Sequence, residues 1–319
     1  MHKEMMRRSL GSSWQRKIGL ERDLLASLDH PFLVNLKYAF QNTEFLVLVM
    51  DIVRSSDLSE FVLGKRRLTR AQNFVRARVC VKWIIMEVMA VMHYLHSKGV
   101  LYRDLKPENL LIDADGHIRL IDMGLAARIS DKNPLRRSRV GTDIYMAPEV
   151  RFVKERKEGY GVACDWYTVG VLAYELSSGH TPYLINEDHD PSYREHSFGD
   201  DRMDDFVRRL CAKNWRQRGS AEFLFVTFSS TQNQLDWRQR LGSGPRGSAE
   251  IFEHSYWDSI DWDLVEKRTM PSPMLSLERN KLGRKKKEKE SQAQQTASDL
   301  AEADREEYDS EFHLTVRAL

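Results

Sequence analysis

The stretch Tyr102-Arg-Asp-Leu-Lys-Pro-Glu-Asn109 is followed by two short apolar runs, Leu110–Ile112 and Ile118–Ile121, bridged by Asp113-Ala-Asp-Gly116. Apolar runs around an Asp/Gly turn read as a β-hairpin. Asp122-Met-Gly124 comes next, eighteen residues after Asp104, and Ala147-Pro-Glu149 follows later. Because a hairpin returns the chain on itself, Asn109 and Asp122 offer hard oxygen atoms from opposite sides of it. Such atoms suit Mg²⁺ held between protein and phosphates. Asp104 stands where a carboxylate can accept a hydroxyl proton, and Lys106 can reach a transferred phosphate. Each residue alone reads as a turn or a surface charge. Together and in this order they follow the logic of phosphoryl transfer, which needs positioning and charge neutralisation more than covalent chemistry.

The rest of the chain sets this centre in a globular frame. Its 319 residues allow two or three domains, and 41% hydrophobic with 30% charged residues is the balance of a soluble protein. Lys+Arg 49 against Asp+Glu 47 leaves +2, so no global field draws the chain to nucleic acid or membrane, and no nucleic-acid partner is expected. Cys80, Cys164 and Cys211 are too few and too scattered for a disulfide framework or a zinc cluster, which points to a reducing compartment, most simply the cytoplasm. Met1 to Lys17 lacks the apolar core of a secretory signal. The longest apolar stretch, Val79–Tyr94, carries Lys82, Glu87 and His93 and is shorter than a span of ~20 residues, so it reads as a buried helix rather than a transmembrane one.

Leu20, Leu24, Leu25 and Leu28 predict an amphipathic helix closed by Pro31. Phe32–Phe40 and Thr43–Ile52 predict a strand pair, and a long helix is expected from about Arg70 to Lys98 with Gly99 as its cap. Asp165–Ser178 is helical and mostly apolar. The fold class is therefore α+β: a small strand-containing piece, then a mainly helical domain. After Pro271 the composition turns polar. The charge run Arg279–Glu290 reads as a solvated tail, with contact of Lys281–Lys289 to acidic lipid, or a nuclear signal, as the second reading. Trp215-Arg-Gln-Arg218 recurs as Trp237-Arg-Gln-Arg240 and Gly219-Ser-Ala-Glu222 as Gly247-Ser-Ala-Glu250, which marks an inserted segment at about 211–234, either a loop of its own or a gene-model error.

On the motifs Tyr102–Asn109, Asp122–Gly124 and Ala147–Glu149 the chain resembles the eukaryotic protein kinases. Ser255-Tyr-Trp-Asp-Ser-Ile-Asp-Trp262 and the Arg240-Leu-Gly turn are similar to the AGC group of Ser/Thr kinases. Asp122-Met-Gly-Leu-Ala126, Gly141–Val150 and Arg240–Gly247 are most similar to the G-protein-coupled receptor kinase branch, from which Met123 departs. The resemblance implies a two-lobed fold: residues 1–50 as a partial small lobe, 51–262 as the large lobe, and 263–319 as a C-terminal tail. It implies ATP and Mg²⁺ as cofactors, protein hydroxyls as substrate, and a monomer.

Residue by residue, the resemblance implies that Asp104 is the base, that Lys106 and Thr142 assist it, and that Asn109 and Asp122 hold the metal. Glu21 corresponds to the helix glutamate that pairs with a strand lysine, for which Lys3 is the candidate, with a surface charge as the other reading. Met50, Asp51 and Val53 would border the adenine, with Leu111 beneath it. Leu25, Leu36, Tyr102 and Met123 match a stacked apolar column or are plain core. Asp165 would anchor the catalytic loop and Glu149 would pair with Arg240, Arg218 being a competing partner. Ser138 is the activation-loop phosphosite, with Arg103 as the partner of its phosphate. Asp57, Glu108 and Glu175 would bind basic residues flanking the target hydroxyl, or are ordinary surface or capping acids. Tyr308-Asp-Ser-Glu-Phe312 resembles a tail tether, a chance match being the alternative. One departure matters: no Gly-x-Gly-x-x-Gly loop precedes Glu21, so the small lobe is expected to lack its first two strands. The alternative function is accordingly a catalytically inactive kinase-like scaffold.

Overall fold

The computed structural model describes residues 2–6, 12–41, 45–53, 58–59, 74–185, 191–193, 197–211 and 240–275. The chain divides into two compact units, Met1–Pro273 and Met274–Leu319, and the account below concerns the first. The predicted insert, the charge run and the Tyr308–Phe312 tether lie outside the described residues, apart from Cys211 at the start of the insert.

The small lobe opens with strand β1 (His2–Met6), helix α1 (Ser12–Ser27) and strands β2 (Leu36–Gln41) and β3 (Phe45–Met50). The sheet order is β1-β3-β2, all antiparallel, with Lys3 opposite Leu48. Leu24, Leu25 and Leu28 of the α1 region recur at helical spacing and are buried. The helix stops at Ser27, short of Pro31, and the single strand expected over Phe32–Phe40 is divided. Phe32–Val34 turns away from the sheet to pair with the large lobe: Leu120 N–H donates to Phe32 O (2.7 Å) and Val34 N–H to Leu120 O (3.0 Å).

The large lobe is built on two buried helices, α2 (Phe74–Ser97) and, after the catalytic segment, α5 (Ala163–Ser178). Ile84, Ile85, Val88, Met89, Val91, Met92 and Leu95 of α2 are essentially inaccessible, so its apolar length is taken up by packing. Between the helices run β4 (Val100–Leu101), β5 (Leu110–Ile112), β6 (Ile118–Leu120), β7 (Ala127–Arg128) and the short helices α3 (Pro148–Arg151) and α4 (Val153–Arg156). Strands β8 (Tyr183–Ile185) and β9 (Pro191–Tyr193) then form a separate hairpin. Helix α6 (Asp201–Leu210) follows, its first turn capped by the Asp200 carboxylate, and it lies against α5. The approach is close at Gly170, where a Cβ would stand 2.7 Å from Leu210 Cβ. The chain continues to α7 (Ala249–Phe252) and α8 (Trp262–Glu266). Residues 268–272 remain bound to this unit: Arg268 pairs with Asp113 (2.8 Å) and Ser272 Oγ donates to Gly116 O (2.6 Å).

His30 sits where the small lobe passes into the large one, buried against Phe32 and Tyr94. Its Nδ1 accepts the Phe32 N–H (3.2 Å), a role open only to the neutral ring, and burial pushes its pKa from 6.5 down to about 4. The unfolded chain therefore binds the extra proton first as pH falls. Stability should be full above pH 6.5 and decline by roughly 2–3 kcal/mol as pH drops toward 4. His30→Asn keeps an acceptor but does not titrate. Urea melts across that range should show a shallower slope for the variant.

Candidate active site

The hairpin of β5 and β6 sets the frame. Leu110 pairs with Leu120 and Ile112 with Ile118, while Asp113 Oδ1 accepts the N–H groups of Asp115 and His117 to close the turn. At its open end Ile121 N–H donates to Asn109 O (3.0 Å), which brings Asp122 within one residue of Asn109 across the hairpin. From behind, the α2 carboxylate of Glu87 holds His117 Nδ1 (2.6 Å) and the Ile118 N–H (2.9 Å). Burial pushes the Glu87 pKa up, against the pull of His117 and the Ile118 N–H.

The loop Tyr102–Asn109 is fixed by Asp165, in the first turn of α5. Its buried carboxylate accepts the N–H groups of Tyr102 (2.9 Å) and Arg103 (2.8 Å) and pairs with His96 Nε2 (2.9 Å). Arg103 is thereby held in the left-handed region at φ 71°, and Asp122 occupies the same region at φ 64°. Such conformations persist where surrounding bonds over-determine them. Tyr102 is enclosed, its hydroxyl donating to Ile121 O (2.7 Å), and burial beside Asp122 and Asp104 drives its pKa well above 10.

Around Asp104 the side chains form a closed cluster. Thr142 Oγ1 donates to Asp104 Oδ1 (2.8 Å), Lys106 Nζ lies 2.9 Å from both Asp104 Oδ2 and Thr142 Oγ1, and Asn109 Nδ2 donates to Asp104 Oδ2 (3.1 Å) and Asp104 O (2.8 Å). With its NH₂ so committed, Asn109 has its amide oxygen left to offer a cation. Asp122 Oδ1 accepts the Gly124 N–H (2.9 Å). An amide oxygen and a carboxylate on one end of a hairpin make a donor set that fits Mg²⁺, which takes one or two protein oxygens and completes its shell from phosphate and water.

The segment after β7 is tied to this loop twice. Thr142 is one tie. The other is Arg103, whose guanidinium donates to Leu125 O (2.7 Å), Ser138 Oγ (3.0 Å) and the Tyr160 hydroxyl (3.0 Å). Tyr160 in turn donates to Ser138 O (2.7 Å). Gly141 has φ +114° and a Cβ there would stand 2.6 Å from Arg103 O, so no other residue fits without displacing the loop.

Of the remaining expected positions, Met50 and Glu21 are buried, Asp51, Val53 and Leu111 are half-buried, and Leu25, Tyr102 and Met123 are in the core with Leu36 half-buried. Glu108 is exposed within the Tyr102–Asn109 loop. Glu175 is enclosed and accepts a hydrogen bond from the Tyr145 hydroxyl (2.6 Å), so its carboxylate is not displayed to an incoming peptide. Lys3 is in register on β1, although its side chain, like the whole of Asp57 and Arg218, falls outside the described part of the chain. Glu149 and Arg240 form a buried bidentate pair (2.5 and 3.0 Å), with Arg240 also donating to Ala163 O (2.7 Å) and lying over the Tyr167 ring. Desolvation works against the Arg240 charge, yet Glu149 outweighs it and the pKa is raised. Sequence reasoning missed His96, Glu87, His117 and Tyr160. Each acts through a contact distant in the chain, and only Tyr160, in a Gly-Tyr-Gly loop, stood out from its neighbours.

Residues 2–227 match the family described as "Protein kinase domain", and the chain belongs to that family. It is 36% identical over 257 residues to Ribosomal protein S6 kinase 2 alpha of Gallus gallus and to Ribosomal protein S6 kinase alpha-1 of Homo sapiens, and 35% identical to Ribosomal protein S6 kinase 2 beta of Xenopus laevis. Each match covers 80% of this chain and 30%, 31% and 36% of the relative, so the chain spans about a third of the curated relatives it matches. The relatives are kinases by name, and what the chain shares with them is the protein kinase domain.

Arg240→Met would leave Glu149 buried and unpaired. Loss of one partner of such a pair typically costs ~3–5 kcal/mol, and thermal or urea denaturation should show a loss of that size. A change within about 1 kcal/mol would mean that the pair is not what holds α3 against the Arg240 turn.

Proposed function

We propose that the chain transfers the γ-phosphoryl group of ATP to serine or threonine hydroxyls of proteins. The observation that carries this reading is the closed cluster of Asp104, Lys106, Asn109 and Thr142, with Asp122 facing it across the hairpin end. In this reading Asp104 accepts the proton of the attacking hydroxyl. Thr142 and Asn109 hold its carboxylate in one orientation, which is where an enzyme saves entropy and reorganisation. Lys106, now against Asp104 and Thr142, faces the transferred group. Mg²⁺ bound with ATP supplies the charge neutralisation, and Asn109 and Asp122 are the residues to hold it. Met50, Asp51, Val53 and Leu111 border the adenine, and Glu21 receives Lys3.

Further elements belong to this proposal. The branch likeness to the receptor kinases rests on Asp122–Ala126, Gly141–Val150 and Arg240–Gly247. Ser138, exposed and already bonded to Arg103, is the phosphosite. Cytoplasmic residence is supported by three buried cysteine thiols. Recognition of basic flanking residues has Glu108 as its displayed carboxylate among the described residues.

Asp104→Asn preserves shape and should reduce phosphoryl transfer ~10²–10⁴-fold, the usual contribution of a positioned base, with the melting temperature little changed. Mg-ATP at about 100 times Kd should stabilise the wild-type chain by ~2.7 kcal/mol. No stabilisation and no transfer would favour the inactive scaffold.

A further inference from the structure

From Ile84 to Met92 helix α2 is apolar at every position except Glu87, and all of these residues are buried. Packing alone has no use for a carboxylate there. Burial works against its charge and pushes its pKa up. The charge is directed at the β5–β6 hairpin instead. Glu87 Oε2 accepts the Ile118 N–H (2.9 Å) and Oε1 pairs with His117 Nδ1 (2.6 Å). The His117 ring meets Phe32 (centroids 6.1 Å apart) and Trp83 (5.9 Å), and Trp83 precedes Glu87 by one turn of α2.

The hairpin needs such an outside reference. Its strands share three residue pairs, Leu110 with Leu120, Leu111 with Arg119 and Ile112 with Ile118, so few ladder bonds set the register. A slip of one residue would move the end of β6 by ~3.3 Å and turn Asp122 to the other face. On the edge of β6 away from β5, Ile118 N–H meets Glu87 and Leu120 N–H meets Phe32 O (2.7 Å). A slip relative to α2 would bring residue 117 or 119 to Glu87. Their N–H groups point to the opposite edge, and the buried charge would lose its donor. At the open end the same register places Ile121 N–H on Asn109 O (3.0 Å), with Asp122 next in the chain.

We infer that Glu87 is a positioning residue: from the back of the large lobe it sets the register of β6, hence the spacing of Asp122 and Asn109, and through that pair the part of ATP binding that depends on Mg²⁺. The last step rests on the kinase reading; the register itself does not. Groups that hold metal ligands in place, without touching the metal, contribute about 10–100-fold to metal affinity.

Three variants of the full chain test this. Glu87→Gln can still accept the Ile118 N–H, and its NH₂ can donate to His117 Nδ1 in the other tautomer. Glu87→Leu fills similar space with no acceptor. Glu87→Leu/His117→Phe replaces both members by apolar groups, a change that often leaves stability intact, and it carries the test if the single Leu variant does not fold. Amide hydrogen exchange without nucleotide reads the register. We expect Ile121 to exchange about tenfold faster in the Leu variants when measured against Val91 of α2, and at the wild-type rate in Glu87→Gln. Titration with ATP, in Mg²⁺ and in EDTA, reads the consequence. The tightening by Mg²⁺ should shrink about tenfold in the Leu variants and persist in Glu87→Gln, with binding in EDTA unchanged. Leu variants that keep wild-type exchange at Ile121, or that speed Ile121 and Val91 alike, overturn the inference. So does a loss of ATP binding that is equal in Mg²⁺ and in EDTA. A wild-type chain that binds no ATP in either condition, while Glu87 still governs exchange at Ile121, counts against the kinase reading and leaves the register role standing.

Discussion

A single buried carboxylate holds the loop that carries Asp104 in place. Asp165 is removed from water, and an isolated charge there would be prohibitively costly. It is tolerated because Tyr102 N–H, Arg103 N–H and His96 converge on it, and because it sits in the first turn of α5, where the helix dipole favours a negative charge. The requirement runs in both directions. The carboxylate needs those donors, and satisfying it forces the backbone at Arg103 into the left-handed region. That turn aims Asp104 at Thr142 and sends the Arg103 side chain toward Ser138 and Tyr160.

The same economy governs the hairpin. Asn109 and Asp122 can act together only if the register of β5 and β6 is held, and a slip of one residue would turn every side chain to the other face. The register is pinned at the tip by Asp113, which caps its own turn and meets Arg119 and Arg268, and along one edge by Glu87. Burying Glu87 is unfavourable in itself, as its raised pKa records. Its benefit is positional: it fixes His117 and Ile118 at the far end of the strand that leads to Asp122.

How much of this was legible in the sequence follows from the range of the interactions. The hairpin, the long helices and the clustering of Asp104, Lys106 and Asn109 rest on local patterns, and local patterns can be read. The division of Phe32–Phe40 could not be, because Phe32–Val34 is apolar enough for a strand in the small sheet. It bonds instead to Leu120, nearly ninety residues away, once the turn at His30 and Pro31 redirects it. Glu175 read as an acid facing a basic substrate residue or solvent, since nothing in a helical pattern shows that Tyr145 will fold over it. Tyr160 carried no periodic signal at all, and its value lies in linking Arg103 to Ser138.

The two lobes depend on different amounts of packing, and the division of labour follows. The described small-lobe sheet has three strands, and β2 leaves Tyr38 71% and Phe40 58% exposed, so few of its backbone bonds are shielded from water. The large lobe encloses α2 and α5 on nearly every side. Local opening is easier where buried contacts are few. Every group that aligns Asp104 (Asp165, Thr142, Lys106 and Asn109) belongs to the large lobe, whereas Glu21 and Met50 belong to the small one. Fluctuation of the sheet therefore leaves the geometry around Asp104 intact. Among the described residues, the closed cluster around Asp104 draws its hydrogen bonds from Lys106, Asn109 and Thr142.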